Sequence, residues 1–572
     1  MKRIIALLSV IALGLFFSVQ AKTYTSAFSQ DFDDADTYTA NFSDGTVASD
    51  ILGTVDSDSC DCAFRIIGDE KIRGYFDSFT RTDDELYTNS IPNSAASKWA
   101  LSGIPRFECP DAEIERTYYF RWWTYRKHLK RTKSGWVVTE FLPSVPWAAK
   151  ENTISCALNH HVAEGRWLRS REYIDGYLRF MMTEGCVNGP RSYACAPAYA
   201  ALEYAKATGD YGLAESLLPL FAKNCDAWEA GWTGKRNFFV GYRPERGLYD
   251  IYGDREGTEY NISADGARPM VNSMRWADMD ATAKIAALAG EKDTAEMFRA
   301  KAAALENEIK TRLWNGERRF FTTLSRNGGG LDGVCELHGY APFYFGMDLD
   351  ESYRAAFRRL ADEKGFYAPH GLAFPTLDTP GFRLTPDLEG HECQWNGPSW
   401  PYATSIALTA LAKTLQTDGD GVPGVTKADF ARLLRQYAAQ HRLTREDGTT
   451  IPWVDEDCDP FTGEWIARKI LLHRASAKAA KPSLPERGKD YNHSTFCDLV
   501  ISGLVGFVPN GEKGFSVDPL ADPAWDYFVL ENLRYRGRDI SIRYLRGEGM
   551  SVEVDGKVVA KRDGMGRLEV AF

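Results

Sequence analysis

None of the chain's 11 cysteines forms a Cys-x-x-Cys pair, so the usual spacing of a structural zinc site is missing. Cys60-Asp61-Cys62 stands too close for a comfortable disulfide. There is no excess of basic residues. Lys and Arg number 68 against 79 Asp and Glu, for a net charge of −11, which argues against nucleic acid or an anionic membrane surface as a partner. No apolar run long enough to span a bilayer follows the first 21 residues. A Gly-rich phosphate loop and a Ser-His-Asp elbow are also absent. No fixed-period repeat is visible, which disfavours a helical repeat array. Neither a metal nor a cofactor is expected.

The amino terminus has the features of an export signal. Lys2 and Arg3 precede an apolar stretch from Ile4 to Phe17, and Val19-Gln20-Ala21 supplies small residues for cleavage. Residues 1–21 are therefore expected to be a signal peptide, and the product periplasmic or extracellular. The first cysteine is Cys60, so no lipid anchor is expected at the cleavage point. The remaining chain is too long for one simple core, and two or three domains are expected. Aromatics are plentiful, with 15 Trp, 27 Tyr and 31 Phe. Most serve cores, but a surplus also suits sugar binding, because pyranose C–H faces pack on aromatic rings.

Three segments emerge from the patterning. Residues 22–143 lack long helical runs. The stretch Glu115–Leu129 alternates aromatic and polar residues in part, around Tyr118-Tyr119-Phe120-Arg121-Trp122-Trp123. This predicts an N-terminal β-rich domain. Residues 144–510 are dominated by helices. Phe298, Ala302, Leu305, Ile309 and Leu313 form one apolar stripe, in a helix that Asp293 can cap. Met274, Ala277, Ala281, Ile285 and Leu288 form another, ended by Gly290. Similar pairs occur at Glu172–Glu184 with Cys195–Thr208, at Leu213–Trp232, and at Ser399–Leu415 with Lys427–His441. About 11 or 12 such candidates suit six hairpins in a ring, an (α/α)6 barrel. The long inserts Arg236–Arg268 and Gly365–Trp395 fit pocket-building loops. Residues 511–572 change to period two, with Asp555-Gly556 as a strong hairpin turn, and predict a small C-terminal β-domain.

Two acid clusters stand out. Asp254, Glu256 and Glu259 lie in the loop Gly253-Asp254-Arg255-Glu256-Gly257-Thr258-Glu259-Tyr260. Asp455, Glu456, Asp457 and Asp459 lie between Trp453 and Trp465. Cleaving a glycosidic bond needs one carboxylic acid to protonate the leaving oxygen and a second carboxylate to activate water or attack the sugar. Composition alone does not choose the pair.

Glu456-Asp457-Cys458-Asp459-Pro460-Phe461-Thr462-Gly463-Glu464 resembles the Glu-x-x-Asn-Pro-x-Thr-Gly-Glu segment of glycoside hydrolase family 63 and the mannosylglycerate-hydrolase-like enzymes, with Asp459 standing where the group has Asn. Trp395-Asn396-Gly397-Pro398-Ser399-Trp400-Pro401 resembles their Trp-x-Gly-Pro-x-Trp-Pro segment. Arg255-Glu256-Gly257-Thr258-Glu259 resembles the Glu-Ser-Gly-x-Asp segment shared with trehalases, with Arg255 in place of Glu and Glu259 in place of Asp. The resemblance spans roughly residues 147–509. It implies Glu456 as general base and Glu259 as general acid, with Asp254 and Glu256 the other candidates for the acid. It also implies an inverting, exo-acting glycosidase on an α-linked glycan.

Trp395 and Trp400 are expected as pocket walls, with Trp453 beside the second cluster. Arg268 and Arg166 either bind sugar hydroxyls or pair with local acids, and His493 lies in a looser match at His493-Ser494-Thr495. Two other readings compete: a polysaccharide lyase on a helical toroid, and a non-catalytic glycan-binding protein.

Overall fold

The structure is a computed structural model. It describes residues 66–571 apart from 186, 188, 385–390, 419–420, 477–483, 485 and 512–513. The expected signal peptide at 1–21 lies outside the described residues, as does 22–65 of the expected β-rich domain. Among the described residues twelve α-helices have eight or more residues: α1 (Asp69–Thr82), α2 (Ala96–Gly103), α3 (Ala112–His128), α4 (Leu158–Gly165), α5 (Glu172–Thr183), α6 (Pro197–Thr208), α7 (Gly212–Ala230), α8 (Pro269–Leu288), α9 (Lys292–Arg312), α10 (Pro401–Asp418), α11 (Lys427–Gln440) and α12 (Ile466–Ser476).

The β-rich expectation for the N-terminal segment is corrected. Residues 66–143 carry α1, α2 and α3 and only short strands, and the aromatic run of 118–123 lies inside α3. The physical reason is burial on every side. From Thr117 to His128 each residue of α3 is buried, so no exposed face marks the 3.6-residue period. The helix ends are nonetheless encoded. The Asp111 side chain accepts from the backbone N–H groups of Glu113 and Ile114, and Arg126, Lys127 and His128 fill the last turn, opposite the negative end of the helix dipole.

Between residues 158 and 476 nine of these helices appear, where pattern alone gave 11 or 12. Shorter pieces fill some of the rest, including the 3-10 segment Tyr353–Leu360 and the π turn Leu499–Leu504. Helices α8 and α9 form the expected hairpin. Arg268 is extended and Pro269 opens α8, where a missing N–H costs nothing. Gly290 takes a positive φ of 79° at the connection. The α9 stripe Phe298, Ala302, Leu305, Ile309 and Leu313 is fully buried; each large side chain so placed contributes about 1.5–3 kcal/mol. Asp293 lies in the first turn of α9, and the N-cap is Glu291. Leu288 departs from its expected stripe and is 46% exposed, because it sits at the end of α8 where the chain turns out to Gly290. Helices α8 and α10 are buried nearly all round, whereas α9 and α11 bury one face.

The period-two segment is a sheet as expected. Strands β2 (Tyr527–Tyr535), β3 (Arg538–Leu545), β4 (Gly549–Val554) and β5 (Lys557–Arg562) run antiparallel in sequence order, and Asp555-Gly556 makes the last turn. The sheet also takes in β1 (Arg106–Glu108), which pairs with β2 through Phe107 and Leu530.

Helix α3 positions the site described next. Lys127 Nζ reaches Asp490 at 2.6 Å, and His128 Nε2 lies 2.7 Å from the Asp490 carbonyl. Arg121 donates to the Ser494 carbonyl at 3.1 Å. The segment 487–494 is thereby fixed against a rigid helix.

Candidate active site

The first acid cluster separates into three environments. Asp254 is exposed. Glu256 is buried at 2% exposure and accepts from Arg268 Nε at 2.6 Å and from the Val271 N–H at 3.2 Å. Burial opposes its charge, but Arg268 and His338 outweigh that and hold its carboxyl down at about 2. Arg268 also pairs with Glu336 at 2.9 Å. Both of its charge contacts are therefore within the protein, and Glu256 and Arg268 form an anchor for the loop.

Glu259 is half-buried. Burial pushes its carboxyl up to about 7, and the nearby charges of Asp254, Glu456 and Glu392 push the same way. Its carbonyl accepts from the Trp395 N–H at 3.1 Å, which ties the acid loop to the tryptophan segment. Glu259 is thus partly accessible with its carboxyl pushed up, whereas Glu256 is buried with its carboxyl held down.

In the second cluster Glu456 is buried, 1% exposed. One carboxyl oxygen is ion-paired with Arg487. The other accepts from the Cys393 thiol at 3.1 Å. The neighbours on either side are structural. Asp455 accepts from the Glu456 N–H at 2.9 Å and from Trp453 Nε1 at 3.3 Å, and Asp457 accepts from the Ala467 N–H at 3.0 Å. Burial, then Glu456, raises the carboxyls of both. Asp459 closes a turn by accepting from the N–H groups of Phe461 and Thr462.

Several members of this cluster were not legible in the sequence. Arg487 Nη1 pairs with Glu392 at 2.7 Å while its Nη2 pairs with Glu456. Glu392 is also held by Arg474 at 2.6 Å; against the cost of burial, Arg487 lowers its carboxyl to about 2. Glu140 is a further buried carboxyl. Burial raises it to about 8, and Glu456 and Glu259 add to the rise against Trp147 and Arg487. Tyr491 Oη and His493 Nδ1 share a hydrogen bond at 2.6 Å; burial holds the His493 imidazole well below its ordinary value. Cys393, Glu140 and Arg487 come from three distant loops with no local motif. Only proximity to charged neighbours would have revealed them.

The remaining expected residues are placed as follows. Trp395 and Trp400 stack at 3.9 Å and 7°. Trp400 donates to the Gln394 carbonyl at 3.0 Å, while Trp395 Nε1 has no partner among the described residues. His493 is buried behind Tyr491. Trp453 lies under Arg468 and Lys489, and its indole N–H is held by Asp455. Arg166 pairs with Asp498 at 2.8 Å and with Glu203 at 3.4 Å. It lines a separate cavity of about 430 Å³ with Lys413 and Tyr199, so the structure does not bring it together with Glu259 and Glu456. No described helix is long and apolar enough to cross a membrane.

A carboxylic acid that keeps its proton near neutrality, near a second carboxylate paired with arginine, in a setting rich in aromatic rings, is the equipment of an acid–base hydrolase of glycosidic bonds. The sequence model of the mannosylglycerate hydrolase MGH1-like glycoside hydrolase domain matches residues 150–494, and the chain belongs to that family. A solved structure described as a sialidase superposes with a TM-score of 0.75 at 29% identity, covering 88% of this chain and 44% of its own. The family 78 rhamnosidase of Bacillus sp. GL1 gives a TM-score of 0.51 at 14% identity, over 80% of this chain and 42% of its own. The latter is a likeness of fold. The chain spans less than half the length of either.

Proposed function

We propose that this chain is a secreted, exo-acting glycosidase that hydrolyses an α-linked glycan with inversion, on a six-hairpin (α/α)6 barrel. The alternation of helices buried all round with helices buried on one face supports an inner and an outer ring. Glu259 is the general acid and Glu456 the general base. The observation that carries this is the contrast between them. Glu259 holds its proton up to about pH 7, whereas Glu456 faces the guanidinium of Arg487.

In the reaction Glu259 gives its proton to the glycosidic oxygen as the bond to the anomeric carbon breaks. A water attacks that carbon from the opposite face, and its proton passes to Glu456. A carboxylate has about four lone-pair sites, so Glu456 can accept from water in addition to Arg487 and the Cys393 thiol. The products are a free sugar of inverted configuration and the released alcohol. Solvent exchange then takes the proton from Glu456 and returns one to Glu259.

The test is turnover on aryl glycosides and α-linked oligosaccharides, followed by NMR of the first anomer formed, with Glu456→Gln and Glu259→Gln alongside. Inverted sugar from the wild type and loss of most turnover in both variants are expected. Full activity in either variant removes that residue from the mechanism. An unsaturated product would assign a lyase instead.

A further inference from the structure

Residues 140–152 form a loop whose shape is set by one side chain. Asn152, at a left-handed φ of 63°, donates through Nδ2 to the carbonyls of Phe141 at 2.8 Å and Pro143 at 3.1 Å. Its Oδ1 accepts from the Val145 N–H at 3.1 Å, and its carbonyl accepts from the Glu140 N–H at 2.8 Å. The loop is therefore held rigidly at its base, and at its tip stands Trp147.

Trp147 is 49% exposed, an unusual place for an indole that is also well anchored. Its Nε1 donates to Glu140 Oε1 at 3.2 Å. Phe141 meets it edge-on at 6.1 Å and 87°. The guanidinium of Arg487 lies 5.0 Å from its ring centre, and this is the guanidinium that pairs with Glu456. A single side chain thus separates the indole from the carboxylate assigned as base. An aromatic ring fixed in orientation and left open to solvent at that distance is preorganised to receive an apolar face.

The charges around it define what kind of ring it receives. Both terminal nitrogens of Arg487 are already committed, to Glu392 and Glu456. Glu140 and Glu259 have their carboxyls pushed up to about 8 and about 7, so neither adds a positive charge near the indole. Among the described residues, a ligand carboxylate placed over Trp147 would find no free cation there, because the one guanidinium beside the ring is already committed to two carboxyl groups. A neutral ring needs none.

We infer that Trp147 is a sugar-binding platform on which the C–H face of an uncharged pyranose packs, and that Glu140 is a positioning residue that holds the indole in place. This rests on the glycosidase assignment above and extends it to a substrate class.

The experiment compares wild type, Trp147→Ala, Trp147→Phe, Glu140→Ala and Glu140→Gln. For turnover, matched neutral hexosides and the corresponding uronides are used. Trp147→Ala is expected to raise KM about 10-fold on the neutral substrate with kcat nearly unchanged, and Trp147→Phe to recover part of the loss. Glu140→Gln keeps an oxygen for the indole N–H and should stay near wild type, whereas Glu140→Ala should move toward Trp147→Ala. A general structural defect would instead lower kcat and thermal midpoint together. Unchanged KM in Trp147→Ala overturns the platform while leaving the glycosidase intact, and preference for the uronide overturns the neutral class. Ligand-observed NMR with a panel of neutral oligosaccharides on the same proteins covers the case of no turnover, which would overturn the glycosidase assignment alone. Binding lost in Trp147→Ala then supports the platform, and binding that is absent or unchanged overturns it.

Discussion

Glu256 and Glu259 lie on one short loop and are held in opposite protonation states. Arg268 pulls the first down to about 2, while burial lifts the second to about 7. Two carboxyls pushed apart by their surroundings suit different work, the first as an anchor and the second as the proposed acid.

The first consequence concerns activity against pH. Glu259 must be protonated to act, so kcat/KM should fall as pH rises through about 7. Glu259→Gln should lower kcat by roughly 10²–10⁴-fold and abolish that limb. A pH profile on an aryl glycoside checks this. Persistence of the limb in the variant would assign it to another group.

Stability follows the other carboxyl. The Glu256 carboxyl is depressed in the folded protein, so its contribution is fully present above the unfolded carboxyl's value of about 4.3 and is lost as pH falls toward 2. Glu256→Gln should weaken this acid sensitivity. It should also destabilise the protein at neutral pH by about 3–5 kcal/mol, since Arg268 is left with a buried partner missing. Thermal midpoints across pH 3–8 read both effects.

Arg487 bridges two carboxylates with two different nitrogens. Lysine offers a point charge and cannot reproduce that fork. Arg487→Lys should therefore cost more than about 10-fold in kcat while the protein remains folded, as judged by circular dichroism. Wild-type kcat in Arg487→Lys would show that the fork does not orient Glu456.

Cys393 should be slow to react despite lying beside a catalytic candidate. Burial, with Glu456 and Glu259 adding to it, pushes its thiol well above the ordinary value, and the thiolate is the nucleophile. Mass-spectrometric mapping after iodoacetamide at pH 8 should find Cys393 unlabelled in the native protein and labelled after unfolding. Equal labelling in both states would show that the thiol is not held protonated by Glu456.

The fold was legible wherever one helix face meets solvent. The boundaries of α5, α7, α9 and α11 fall within a few residues of those read from apolar spacing, since each leaves part of its surface to solvent. Helix α3 was misread because burial on all sides erases the period, although its Asp111 cap and basic last turn were present in the sequence. The site divides along the same line. Glu259 and Glu456 lie in motifs and could be found. Arg487, Glu392, Cys393, Glu140 and Trp147 act through contacts made across distant loops, which no local pattern encodes.

The pairing of Phe107 with Leu530, together with the Glu531 carboxylate that accepts from the backbone of Ile66 and Ile67 at 2.9 Å, constrains the timetable of synthesis. A ribosome delivers Arg106–Glu108 long before the strand it must join. Until Tyr527–Tyr535 emerges, the edge of the strand that faces it and the N–H groups of Ile66 and Ile67 lack these partners, and they are open to pairing with a neighbouring nascent chain. The helices that hold the candidate site precede Tyr527–Tyr535 in the chain, but the seam between β1 and β2 cannot form until residues 529–531 are available.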